Sequence, residues 1–417
     1  MSQVSLAESI LHNVKKLEER GVVDPSSKLG FRDMTYEDLK IRATAINAIR
    51  NLESQMLGPM ESLCSLCFTG VHEAISLSAI GRYNIPLHVP DSGMAISDLA
   101  ARLSTDEQTL TRLIRHAIVK GVFQELEPGF ITHTPISRIL REDEDCMNIV
   151  KIATEDLWPC ALRVLDALEK WHGSPEPPHT AWNLANDTTE PFFDFLAKRP
   201  ERLKRIASMF RIATQSLTQA PNALYESPLW VEIDKPGTTV VDVGGNRGYV
   251  SLGLARATKH IKFVVEDRPE VVKLGEECLP SEYRDRVSFT AHDFFSKQPL
   301  QNADVYFLRK ILHDWSDHLC VQILLHLVPA LKPGARIVVC ETVLPEMAKP
   351  GYEQELLRNS DLGMLMCLNG CERTESDWRK LFASADERFK LDFEYLEGGV
   401  QGLIKATWQP DCKASSS

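Results

Sequence analysis

Nowhere in the 417 residues is there a run of uncharged apolar residues of about 18, the simplest signature of a membrane-spanning helix. The N-terminal stretch Met1–Gly21 carries charges throughout. It lacks the basic start, apolar centre and small-residue cleavage site of a secretory signal, so a cytoplasmic location is expected. Basic charge is also in deficit. Lys and Arg number 47 against 58 Asp and Glu, a net −11, which argues against a nucleic-acid partner because phosphate binding needs clustered cations. The ten cysteines are few for the length and scattered, so reduced thiols are expected. Cys64 and Cys67 form a lone C-x-x-C with no second pair at zinc spacing and no strand-turn-helix redox context. Their surroundings read as one face of an amphipathic helix, and both are expected in a core. Cys367 and Cys371, one helical turn apart, carry the same expectation of packing.

The length and composition imply a globular chain of two domains. The first, residues 1–225, is helical by pattern. Apolar residues recur at spacings of three and four through 38–56, 60–82, 96–119, 147–171 and 189–218. Within it a short helix opens at Ser97, a polar turn follows (Ser104, Thr105, Asp106), and a second helix runs from about residue 107 to 120. Next comes a hairpin turning at Glu127-Pro128-Gly129. Two helices and a hairpin in this order describe a winged helix. DNA binding is one use of that unit. Arg112, Arg115 and Lys120 make no dense basic patch, so a structural or dimer-forming role fits the acidic chain better.

Residues 226–410 alternate short apolar runs with helices. Thr238–Val243, Ile261–Glu266, Arg286–Ala291, Asp304–Leu308 and Arg336–Glu341 read as buried parallel strands with helices on both faces. Phe389–Leu396 and Val400–Trp408, separated by Glu397-Gly-Gly, add an antiparallel hairpin. The implied class is α/β, a Rossmann-like sheet of the methyltransferase form behind a helical winged-helix domain. Residues 411–417 read as a tail.

The stretch Val240-Val-Asp-Val-Gly-Gly-Asn-Arg-Gly-Tyr-Val follows a strand and opens a helix. Glycines at 244, 245 and 248 permit a tight turn and close approach of a ligand. Such turns serve dinucleotide-binding enzymes and S-adenosylmethionine-dependent methyltransferases alike. Three features favour the second: Asp242 ends the strand and suits an amine, the spacing is G-G-x-x-G, and the next strand ends in Glu266-Asp267. There Asp267 is placed to accept both ribose hydroxyls, although taken alone it reads equally as a helix cap before Pro269. After the third strand, Asp293 is placed to bond the adenine amino group and Phe294 to cover its ring.

Beyond the fourth strand lies Tyr306-Phe-Leu-Arg-Lys-Ile-Leu-His-Asp-Trp-Ser-Asp. A histidine at the carboxyl end of a parallel strand sits where such sheets bind ligands, and its pKa suits removal of a hydroxyl proton. Alone, His313 reads equally as a structural histidine. The glycine loop, His292-Asp-Phe-Phe, His313-Asp-Trp-Ser-Asp, Leu331-Lys-Pro-Gly-Ala and Asn369-Gly-Cys-Glu-Arg-Thr occur in order. In this the chain resembles, over nearly its whole length, the caffeic-acid-type O-methyltransferases of plants and their fungal secondary-metabolism relatives. The resemblance implies S-adenosylmethionine as cofactor, a small-molecule acceptor of aromatic or polyketide type, and a homodimer. It implies His313 as general base, oriented by Glu341 and Glu372, with cofactor contacts at Gly244, Asp267, Asp293, Phe294 and Arg309. Asn246-Arg-Gly-Tyr249 departs from the family's usual loop while keeping its glycines. The clustered Asp and Asn ligands of magnesium-dependent catechol enzymes are lacking, so no metal is expected.

Three alternatives stay open. Some fungal proteins of this fold catalyse pericyclic reactions, and His133 with Arg309 and Lys310 would serve that chemistry; against it, His133 has a plain structural role in the hairpin. A cofactor-sensing regulator would need a basic recognition surface. A catalytically dead dimer partner would keep the fold alone. Trp158, Trp182, Phe192, Phe193, Met209, Phe210 and Met364 are candidates for an acceptor pocket or, equally, for core.

Overall fold

The computed structural model describes residues 1–215, 222–396 and 401–410. The chain forms two compact units, Met1–His172 with Ala181–Ser216, and Gly173–Thr180 with Leu217–Ser417.

In the first unit, Ser2 caps the helix Gln3–Glu19 by accepting from Ser5 N at 3.1 Å. A reciprocal Thr35/Asp38 capping box starts the helix Tyr36–Arg82. The two helices expected at 38–56 and 60–82 are present within this span, broken from one another at a kink where Gly58 takes a non-helical φ of +70° ahead of Pro59. The stripe beyond that bend is bare. Met60, Leu63, Leu66, Phe68 and Val71 are exposed, and so are Cys64 and Cys67, contrary to the core position expected for both thiols. Periodicity marks an apolar face but does not say whether the same chain covers it. This helix is also long and apolar enough, by length and composition alone, to cross a membrane. No run free of charge revealed it, because Glu61 and Glu73 interrupt the sequence.

The following helix, Ile96–Leu103, opens from Ala95 without a side-chain cap rather than at Ser97, and Glu107–Val119 is capped by Asp106. Strands β1 (Met94–Ala95), β2 (Phe123–Glu127) and β3 (Phe130–His133) form a small sheet in the order β1-β3-β2. Ile80, Leu99, Ile114, Phe123 and Ile131 fill the core beneath it. Two of the three cations on the second helix are already paired, Arg115 with Glu125 at 2.8 Å and Lys120 with Glu73 at 2.7 Å. Among the candidate pocket residues, Trp182 and Phe192 are buried and meet edge to face at 4.6 Å. Phe210 is exposed, and Trp158, Phe193 and Met209 are half-buried.

The second unit is built on strands β4 (Thr239–Val243), β5 (Lys262–Asp267), β6 (Val287–Ala291), β7 (Val305–Arg309), β8 (Arg336–Leu344), β9 (Arg373–Thr374), β10 (Phe389–Tyr395) and β11 (Gln401–Trp408). Their order is β10-β11-β8-β7-β4-β5-β6, with β9 beside β8. The pairs among β4 to β9 are parallel, whereas β11 runs antiparallel to both β8 and β10. The turn expected at Glu397-Gly-Gly and the tail 411–417 lie outside the described residues. The central strands are near-continuous Val, Ile, Leu and Phe, because helices cover both faces. Val241, Leu308 and Val339 face one core and Val240, Phe307 and Val338 the other. Each such side chain contributes about 1.5–3 kcal/mol by leaving water, which makes this sheet the rigid base of the site. From β4 the chain adds β5 and β6 on one side and then crosses back to add β7 and β8 on the other. At such a switch point the loops diverge and leave a crevice. The segment Gly173–Thr180 is tied to this unit by Asn369, whose Nδ2 donates to the carbonyls of Ser174, Glu176 and His179 at 3.1, 2.8 and 3.0 Å.

Candidate active site

Two loops meet at the switch point. The first leaves β4 through Gly244 at φ +73°, and the N–H groups of Gly244 and Gly245 donate to Glu266 O at 2.8 and 3.0 Å. A Cβ at Gly244 would stand 2.5 Å from Ile311 Cδ1, and one at Gly245 2.5 Å from Asp242 Cγ. Only bare backbone fits both places. Asn246, itself at φ +53°, donates its N–H to Asp267 Oδ2 at 2.8 Å, and Arg268 N donates to Oδ1 at 2.8 Å. Each oxygen of Asp267 keeps a lone pair for a further donor. Thus Asp267 is both a turn-former and an available acceptor.

Asp242 is buried and accepts from Ser251 Oγ at 2.6 Å; burial pushes its carboxyl up to about 6, opposed by that bond and by Arg309. Glu266 is buried as well and accepts from Gln298 Nε2 at 2.8 Å; burial raises it to about 7. Arg309 Nε is buried without a hydrogen-bond partner among the described residues. Asp293 is exposed and accepts from Phe295 N at 3.0 Å, while Phe294 stands edge-on to Trp315 at 6.0 Å. These residues fit an adenosyl cofactor: glycine backbone open to close approach, a carboxylate with free lone pairs, an aromatic ring, and a guanidinium N–H still to be satisfied.

The second loop follows β7. Lys310 takes φ +56° and the chain turns through a short 3₁₀ helix, Leu312–Asp314, that carries His313. Glu341, inside β8 and wholly buried, holds this turn by its main chain: Oε1 accepts from Ile311, Leu312 and His313 N at 2.8, 3.0 and 3.4 Å. Its Oε2 lies 3.7 Å from His313 Nδ1, too far for a hydrogen bond. Orientation through a bond from Glu341 to the imidazole, the expected arrangement, is therefore replaced by orientation through the backbone. The ring itself is held by Glu372, whose Oε1 accepts from His313 Nδ1 at 3.0 Å. The same oxygen accepts from Ser360 Oγ at 2.7 Å, and Glu372 N donates to Asp361 Oδ1 at 3.0 Å.

Burial pushes the His313 imidazole down, but Glu341, Asp314 and Glu372 around it push harder, and the ring titrates above its ordinary 6.5. Glu372 goes the opposite way: burial would raise it, but the bond and charge of His313 bring it well below the usual carboxylate range. Asp314, with Oδ1 3.5 Å from His313 Nε2, is pushed up to about 7 by burial. The ligand atoms of His313, Glu341 and Glu372 lie within 4.8 Å of one another, close enough for a metal. Hydrogen bonds within the protein engage Nδ1 and one oxygen of each carboxylate, while Oε2 of Glu341 and of Glu372 is buried without a hydrogen-bond partner among the described residues. Arg373 does not pair with Glu372. Its guanidinium is buried against Leu312 O and Trp315 O at 3.0 and 2.9 Å, with Asp317 at 2.8 Å.

His313, Glu341 and Glu372 thus come together, as do Asp242, Gly244, Gly245 and Asp267. His133 stands apart from this chemistry. Buried in the first unit, its Nε2 bonds Val89 O and its Nδ1 bonds Ser137 Oγ, both at 2.9 Å, so neither nitrogen is left to polarise a substrate carbonyl. Lys310 Nζ donates to Thr342 Oγ1 at 3.4 Å. Asp314, Ser251, Ser360 and Gly370 were not singled out from the sequence. Asp314 and Gly370 stand inside the His313-Asp-Trp-Ser-Asp and Asn369-Gly-Cys-Glu-Arg-Thr motifs, which mark the segments without giving these two a role, whereas Ser251 and Ser360 belong to no readable spacing.

Residues 230–387 match the O-methyltransferase domain family. The chain is 34% identical over 386 residues to O-methyltransferase AMT9 of Alternaria alternata, covering 88% of this chain and 86% of that one. It is also 34% identical to a chlorophenol O-methyltransferase of Trichoderma longibrachiatum, over 97% and 89% of the two chains. This chain belongs to the O-methyltransferase family. Its fold is shared with LepI, solved with S-adenosylmethionine, at a TM-score of 0.73 and 23% identity over 98% of this chain and all of that one.

Proposed function

We propose that the chain methylates a hydroxyl of a small aromatic or polyketide-type secondary metabolite, with His313 as the general base. The observation that carries this reading is the hydrogen bond from His313 Nδ1 to buried Glu372. It fixes the tautomer with the proton on Nδ1, which leaves the lone pair of Nε2 for the acceptor's proton. S-adenosylmethionine supplies an electrophilic sulfonium methyl group. The glycine turn and Asp242, Asp267, Asp293, Phe294 and Arg309 hold that cofactor. Glu341 keeps the His313 turn rigid, and Glu372 stabilises the imidazolium once Nε2 has accepted the proton. Most of the acceleration then comes from alignment of the acceptor oxygen.

Purified protein incubated with S-adenosylmethionine and a panel of phenolic and polyketide-type compounds tests this by mass spectrometry. A product heavier by one methyl group, with S-adenosylhomocysteine released, supports it. An isomerised product of unchanged mass would replace it with pericyclic chemistry.

The winged-helix order of helices and β2–β3 hairpin in the first unit serves architecture on this reading, since Arg115 and Lys120 are neutralised within the chain. The bare stripe Met60, Leu63, Leu66, Phe68 and Val71 is the face on which a second copy docks. Leu66→Glu is expected to convert a dimer to a monomer in analytical ultracentrifugation. A wild-type protein that is monomeric, or that partitions onto lipid vesicles, would overturn the dimer. Free thiols at all nine described cysteines support a reducing compartment, the cytoplasm.

A further inference from the structure

The helix Tyr352–Leu368 carries Ser360 and Asp361, and both grip Glu372. Ser360 Oγ donates to Oε1 at 2.7 Å, the oxygen that also accepts His313 Nδ1–H, while Asp361 Oδ1 accepts the Glu372 main-chain N–H at 3.0 Å. A helical serine commonly returns its hydroxyl to a carbonyl one turn back. Ser360 instead reaches across to a buried carboxylate in the catalytic cluster. Oε2 of Glu372 has no hydrogen-bond partner among the described residues, so both bonds that fix the carboxylate's rotation converge on Oε1.

We infer that Ser360 is a positioning residue for methyl transfer: its hydroxyl aims the Glu372 carboxylate at His313 and, by sharing Oε1, limits how tightly Glu372 holds the imidazolium. The inference rests on His313 acting as the base. Two consequences separate it from a packing role. Without the hydroxyl, Glu372 is free to rotate, and the rate falls at every pH. The undivided charge of Glu372 then favours protonated His313, so the limb of the profile governed by the imidazole moves to higher pH. The other charged groups around the ring are Glu341 from β8, Asp314 on its own turn and Lys310 at the end of β7, with Asp361 behind Glu372. The Ser360 hydroxyl bonds Glu372 rather than any of these groups, so its effect passes through Glu372.

The test compares Ser360→Ala and Ser360→Thr with wild type in methyl-transfer kinetics from neutral to alkaline pH. Affinity for S-adenosylhomocysteine, measured by calorimetry, serves as the check on folding. Ser360→Ala is expected to lower kcat about three- to tenfold with KM little changed, and to move the rising limb up by about half a pH unit. Ser360→Thr, which keeps the hydroxyl, is expected to restore both. If the alanine variant does not fold, Ser360→Cys, similar in shape and a weak donor, takes its place. A wild-type kcat, or a loss of kcat with an unmoved limb and no rescue by threonine, overturns the inference. His313→Ala in the same assay keeps the two readings apart. If it stays active, the base reading fails; if it is inactive while Ser360→Ala behaves as wild type, only the role of Ser360 fails.

Discussion

Replacing His313 with alanine is expected to lower kcat by about 10²–10⁴-fold, the usual contribution of a positioned general base. Affinity for S-adenosylhomocysteine should stay within about twofold, because the glycine turn and Asp267 are built on β4 and β5 rather than on the His313 turn. The wild-type pH profile carries the same argument. Three carboxyl groups around the ring raise the pKa of His313, and only the neutral imidazole has a lone pair at Nε2. The rate should therefore rise with pH through neutrality, about tenfold per unit while most of the imidazole is protonated, and level off once it is neutral. The alanine variant should lose this limb along with its rate. A variant with near wild-type turnover, or a wild-type profile flat across the alkaline range, would mean that another group takes the proton.

The class of fold was legible because its signals are local. Valine-rich strands, a glycine turn after the first of them and a Gly-Gly spacing near the end suffice to expect a parallel sheet with an antiparallel hairpin. His313 and the two acidic residues beside it were legible from motif order, through the family resemblance that this order carries. Their division of labour was not, since it depends on how β8 sits beside the turn after β7. Glu341 lies 28 positions (341 − 313) after His313, and no spacing says that its carboxylate ends under three main-chain N–H groups instead of against the ring. Cys64 and Cys67 failed for a different reason. A stripe of Met, Leu, Phe and Cys is the same string of letters whether the chain covers it or leaves it bare. Gly370 stood inside a legible motif without a role, and Ser360 gave no signal at all, because a serine on a helix is among the commonest of features until its neighbours are known.

Gly370 shows how little slack the site has. A Cβ there would stand 2.0 Å from the carbonyl oxygen of His313, 2.7 Å from Asp314 C and 3.0 Å from Asp314 Cα. All three are main-chain atoms of the turn that Glu341 clamps, so they cannot swing aside as a flexible side chain would. On the other side, Asn369 is pinned to three carbonyls of the segment Gly173–Thr180. In Gly370→Ala the added methyl must therefore push His313 and Glu372 apart, and the 3.0 Å bond between them is the part of the structure that gives. Misplacement by about 1 Å costs on the order of 10²-fold in rate, and overpacking of this kind about 1–3 kcal/mol in stability. Gly370→Ala is thus expected to lose about two orders of magnitude in kcat and to melt lower, yet to bind S-adenosylhomocysteine as wild type does. Gly363→Ala is the control, since a Cβ at that helical position meets nothing within 4 Å. It should leave turnover unchanged and stability equal or slightly higher. Equal activity in the two variants would show that the loop at Gly370 yields without disturbing His313, and that the rigidity assigned to this turn is wrong.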